Sequence, residues 1–143
     1  MWKLLLVMIL FQVEIFANLD IDSLNRKMSE TYNYSVKLVR DDMYTNKNKL
    51  VYEKENEEEE AFVEIVCEDG KMRAFAIDIV GKDDLEADFS EVENVTSAVI
   101  MCNSNLKQNV ILRSAVLNRE SSKHYHVDVI DELAHKMISV EYK

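Results

Sequence analysis

Near the C-terminus, His124, His126 and Asp128 have the residue types and spacing that metal chemistry needs. Alternate residues of a β-strand point to the same side. On a strand, two imidazoles and a carboxylate would therefore share one face within reach of a small ion, and zinc or copper is the metal such donors would take. A metal-dependent enzyme using His124 and His126 is one reading of that set. The plainer reading is two exposed histidines on the wet side of a strand. Asp128 is well suited to cap a following helix, and that helix would turn His135 toward solvent. A hydrolytic set of His126, Asp128 and Ser121 or Ser122 has neither a strained nucleophile turn nor a glycine to build an oxyanion pocket. The neighbouring carboxylates Asp41 and Asp42, like Asp83 and Asp84, would diverge on a strand, whereas an acid and a base must face one substrate. No residue is assigned a catalytic role. With Gly70 and Gly81 the only glycines and no proline, neither a phosphate loop nor a dinucleotide fingerprint can be written, and no cofactor is specified.

Cys67 and Cys102 each close an apolar run, 61–66 and 95–101, which places both at the same end of two predicted strands. A disulfide between them is sterically reasonable if those strands lie together. Closing about 36 residues, it would stabilise the fold by roughly 4 kcal/mol through the unfolded chain. Two buried thiols of a cytosolic protein are the alternative. Neither cysteine has a second one close in sequence, so a zinc cluster or a redox pair is unsupported. Asn33 with Ser35, and Asn94 with Thr96, match the N-glycosylation acceptor pattern, which requires an exported chain and a surface position.

The first seventeen residues suit export. Lys3 gives a positive start, Leu4 through Phe11 an apolar core, and Ala17 a small residue before a plausible cut. Residues 1–17 are thus expected to be a cleaved secretory signal, and 18–143 a single globular domain. The apolar run is shorter than the roughly 20 residues a spanning helix needs, so no stable membrane insertion is expected once the signal is removed. A buried first element of a cytosolic fold and a retained anchor are the competing readings; Gln12 and Glu14 interrupt the apolar run and weigh against the anchor, while Glu14 so close to the cut is the feature that fits export least.

The 17 Lys and Arg against 27 Asp and Glu give a net charge of −10. Such a surface repels phosphate polymers and anionic headgroups, and no basic arm or stacking groove offsets it. Nucleic acid is excluded as a partner on this ground. A protein partner is expected instead, a basic one if charge steers the encounter. Glu57, Glu58, Glu59 and Glu60 in one predicted connection, with Asp83 and Asp84 in another, are the candidate partner-binding residues. A calcium site in the glutamate run is disfavoured, since consecutive side chains diverge and calcium loops interleave carboxylates with carbonyls and glycine.

These candidates need elements to position them. Asp20 can cap a helix carrying Ile21, Leu24, Met28 and Tyr32 on one side. Residues 34–38 alternate as a strand, Thr45 to Asn48 reads as a turn, and 50–52 as a returning strand. The strongest local signal is a hairpin, with strands at 61–67 and 71–80 joined through Asp69 and Gly70. Residues 81–90 read as a loop, 95–102 as a strand, and 108–117 as either strand or helix. A strand at Tyr125 and Val127 precedes a helix from Asp128 through Ile138. The fold class expected is α+β, a mostly antiparallel sheet of about five to seven strands packed with an early helix and a C-terminal helix. An early helix followed by antiparallel strands is similar to the cystatin order, but the chain has no Gln-x-Val-x-Gly loop and no Pro-Trp pair, so no residue role carries over. The expected function is a secreted acidic protein-binding module. The alternatives are the metal-dependent enzyme and a carrier for a small apolar molecule, with Phe75, Ile77 and the early helix lining its cavity.

Overall fold

A computed structural model describes residues 21–37 and 48–143 of the chain. Leu24 and Met28, four positions apart, are the buried stripe of a short helix α1 (Ile21–Arg26) that runs on into a π-helical turn, Lys27–Thr31. Asn33 adopts a left-handed φ of 59° and turns the chain into β1 (Ser35–Lys37). Three long strands follow: β2 (Asn48–Glu55), β3 (Glu59–Glu68) and β4 (Lys71–Gly81). Asp69 and Gly70, at φ 48° and 69°, make the tight reversal between the last two, in the left-handed backbone that Asp-Gly tolerates best. A connector with a short 3-10 turn, Lys82–Asp84, leads to α2 (Val92–Val99), a second 3-10 turn (Ile100–Cys102) and α3 (Leu106–Asn118). The chain closes with the hairpin β5 (Tyr125–Glu132) and β6 (His135–Tyr142).

The strands form one sheet in the order β1-β2-β3-β4-β6-β5, every pair antiparallel. Register decides which side chains share a face. Ala61, Val63 and Ile65 stand opposite Ile79, Ile77 and Phe75, while Ile77 and Phe75 stand opposite Ile138 and Val140. All eight are buried, as are Leu24, Met28, Val95, Val99, Leu112 and Val116 of the helices. The helices thus cover one face of the sheet, and each large aliphatic side chain enclosed there contributes about 1.5–3 kcal/mol. Phe75 and Ile77, considered above as cavity lining, are filled core positions. The fold is α+β, with a six-stranded antiparallel sheet, an early helix and helices in the C-terminal half.

Two local readings are corrected, and one left open is decided. Residues 95–102 form a helix ending in a 3-10 turn, not a strand: Val92, Val95, Val99 and Cys102 share one buried face at helical spacing, and that burial overrides the β preference of Val and Ile. Residues 108–117, open between two states, are helical. Asn105 caps them by accepting from the Lys107 and Gln108 amides. The segment from Asp128 through Ile138 is a hairpin rather than a helix. Asp128 lies in β5 opposite Ser139, with Leu133 and Ala134 in the turn. Val127 and Val129 stand opposite Val140 and Ile138 on one face, and β6 supplies the hydrogen-bonding partner that the edge of β4 requires.

Cys67 and Cys102 are joined, with Cα atoms 5.7 Å apart. The bond links the end of β3 to the turn after α2, not strand to strand. Two hydrogen bonds run beside it. The Met72 amide donates to Asn103 Oδ1 at 2.7 Å, and the Ser104 amide donates to the Gly70 carbonyl at 2.8 Å. The proposed signal at 1–17, the Asp20 cap, Asp41, Asp42 and the turn from Thr45 lie outside the described residues. Among the described residues, no helix is long and apolar enough to cross a membrane.

Candidate functional site

Three connections meet at one end of the sheet. The 56–58 turn joins β2 to β3, the 82–91 connector follows β4, and Leu133 with Ala134 turns β5 into β6. The Asn56 side chain organises the first by accepting from the Glu58 and Glu59 amides at 2.8 and 2.7 Å, an Asx turn. The connector is laced to both neighbours: Lys82 N–H donates to the Glu58 carbonyl at 2.8 Å, Gly81 N–H to Ala134 at 2.8 Å, and Ala87 N–H to Leu133 at 2.9 Å. A Cβ on Gly81 would lie 1.9 Å from the Leu85 carbonyl oxygen, so only glycine lets the chain fold back there. Asp83 and Asp84 follow at φ 52° and 62°. Such left-handed backbone costs about 1 kcal/mol or more per residue, with Asp among the types that tolerate it best.

The candidate partner-binding residues are brought together here. Glu57, Glu58, Asp83 and Asp84 are exposed, as are Glu86 and Asp88. Glu59 is half-buried on the helix side, where burial holds its carboxyl above the usual range; the Asp88 amide that donates to it works against this, and the charges of Asp88, Glu91 and Glu58 reinforce it. Asp88 is held below its usual range by the hydroxyl and amide of Ser90. Glu60, paired with Val80, belongs to the opposite face, since neighbouring strand residues diverge. Glu59 and Glu60 are therefore the first strand residues of β3, not part of an open connection. Two lysines are spent inside the cluster: Lys54 pairs with Glu91 at 2.8 Å, and Lys82 Nζ donates to Glu55 and to the Asn56 carbonyl.

Two apolar side chains stand among these carboxylates. Leu85 is 47% exposed and Leu133 65%. Neither was foreseen as a site residue. Leu85 carries a readable signal, as a lone large aliphatic residue between Asp84 and Glu86; Leu133 was hidden by the helical reading of its segment. An apolar centre with a charged rim can dock a complementary surface, with the leucines supplying affinity and the carboxylates orientation.

The remaining candidates are dispersed. His126 Nε2 lies 3.1 Å from Asp128 Oδ2, as the two-residue spacing predicts. His124 precedes the strand, and among the described residues no three His, Cys, Asp or Glu side chains form a metal-holding group. His135 pairs with Asp78 on β4 at 2.7 Å. The two serines hold the start of β5: Ser121 Oγ accepts from the Val127 amide and Ser122 Oγ from the His124 and Tyr125 amides. Asn33 is exposed at its turn. Asn94 is half-buried in α2, donating to Glu91, and the Thr96 hydroxyl is buried and bonded to the Val92 carbonyl. Comparison with known proteins finds no matching family model, no similar curated sequence and no similar solved structure.

Proposed function

We propose that the chain is an exported protein-binding module whose acidic sheet end takes a basic partner. One observation carries this reading: two acidic segments far apart in sequence stand side by side around the exposed Leu85 and Leu133. Carboxylates in that number raise the encounter rate with a cationic surface, while a desolvated leucine pair supplies the short-range gain. The apolar leader and the Cys67–Cys102 bond support export, because disulfides persist in oxidising compartments.

The test is an amide-resonance titration of the mature chain with a peptide of alternating lysines and leucines. Shifts are expected at residues 57–60, 83–88 and 133–134, with affinity falling as salt rises. The double change Leu85→Ser and Leu133→Ser should remove most of them. Shifts confined to α3 or to the other face of the sheet would refute the assignment of this end.

A further inference from the structure

Helix α3 is apolar on two opposite sides. Leu112, Ala115 and Val116 face the core, while Leu106, Val110 and Leu117 point outward with 58%, 70% and 45% of their surface exposed. The outward residues are spaced by four and seven, one continuous ridge. An apolar ridge on the outward side of a helix whose other apolar side is already buried is a surface that a second element can cover. Beside the ridge runs a groove of about 350 Å³, lined by Val110, Ile111, Ser114, Ala115 and Asn118 of the helix and by the link through Glu120 to Ser122.

Charge identifies the occupant. Residues 94–119 contain no Asp or Glu, although the chain carries 27 of them. The bases in this span are largely neutralised, Arg113 by Glu93 at 2.9 Å and Arg119 by Asp131 at 3.7 Å, so on a molecule of net charge −10 this is where two copies meet the least uncompensated charge of either sign. The groove is also electrically two-ended. Lys107, Ile111, Ser114 and Asn118 form one line at offsets of four, seven and eleven, so exposed Lys107 stands at its first end and exposed Glu120 at its other. A two-fold axis crossing α3 near Ser114 places each Lys107 against the second copy's Glu120, and each Val110 against the second copy's Leu117. Ser114, small and exposed, lets the helices approach at the crossing. Ridge enters groove on both sides at once, as packed helices require.

We propose that α3 is the contact surface of a symmetric homodimer, two antiparallel copies held by the Leu106–Val110–Leu117 ridge and oriented by Lys107 and Glu120. The reading is independent of the acidic sheet end. One helix from each copy makes a small contact, so weak, concentration-dependent association of the mature chain is expected. Sedimentation velocity at protein concentrations up to about 1 mM checks it. Val110→Glu should weaken association at least about tenfold while leaving the thermal midpoint unchanged, since the side chain is exposed. Lys107→Glu and Glu120→Lys should each weaken it about threefold, and the pair together should restore it. Should the Val110 variant fail to fold, Ser114→Cys provides a second readout: near the axis, it should yield a covalent dimer on mild oxidation, whereas exposed Lys123→Cys should not. A chain monomeric at 1 mM, a dimer indifferent to Val110→Glu, or the absence of charge-swap rescue would each overturn the proposal.

Discussion

Removing the Cys67–Cys102 bond should cost about 4 kcal/mol, nearly all of it through the unfolded chain. The cysteines are 35 positions apart. Closing a loop of that length removes about 13 cal/mol/K from the unfolded ensemble on the chain-entropy model, about 4 kcal/mol at 25 °C. The native side should change little, because Asn103 and Ser104 keep the same segment hydrogen-bonded to Met72 and Gly70. Domains of this size hold about 5–15 kcal/mol in total, so the reduced chain should remain folded with a much narrower margin. The perturbation is the double change Cys67→Ala and Cys102→Ala, with the wild-type chain in reductant as its control. With a urea slope near 1.5 kcal/mol/M, the unfolding midpoint should fall by about 2 to 3 M, and the thermal midpoint by about 10–20 °C. The slope should steepen as the released chain exposes more surface. A midpoint shift below about 0.7 M in both samples, with unchanged slope, would refute the loop-closure argument.

Gly81→Ala should destabilise by about 1–3 kcal/mol, and amide shifts should concentrate at residues 82–88, because the new methyl must displace the Leu85 carbonyl. Glu59→Gln should stabilise at pH 7 by less than about 1 kcal/mol. The folded carboxyl titrates above its unfolded value, so its ionisation disfavours the native state, and the advantage of the amide should shrink as pH falls through the carboxylate range; an advantage that grows on acidification would contradict this. In chain made by secreting cells, glycopeptide mass analysis should find Asn33 more occupied than Asn94, whose amide is held against Glu91 within α2; the reverse order would show that the folded environment does not control occupancy.

The sequence was most legible where local and tertiary demands agree. The β3–β4 hairpin follows from its alternating apolar residues and Asp69-Gly70. Counting outward from that turn sets Glu59 against Val80, one residue short of the observed Gly81 because a bulge between Val66 and Cys67 shifts the register; the hairpin thus brought the two acidic segments to the same end, while the bulge decides which side chains share a face. The α1 stripe of Leu24 and Met28 was equally plain. Val95 to Cys102 misled because its residues favour strands in isolation, whereas their helical spacing buries one side against the sheet. The closing hairpin was obscured because Ile130, Leu133, Ala134, Met137 and Ile138 satisfy a helical period by coincidence, and only the open edge of β4 decides otherwise. Leu133 was lost from the site for that reason. The His126–Asp128 pair followed from spacing, but a third metal donor depends on tertiary placement that spacing cannot supply.

The covalent link and the acidic loops occupy opposite ends of the sheet. From Cys67 to Glu59 the strand runs eight residues, about 26 Å. What keeps the molecule intact is thereby remote from the end proposed to dock a partner. Under that proposal, exposed side chains at the three loop tips could change with little penalty in durability, and Gly81, where a Cβ would meet the Leu85 carbonyl, is the point at which that freedom stops.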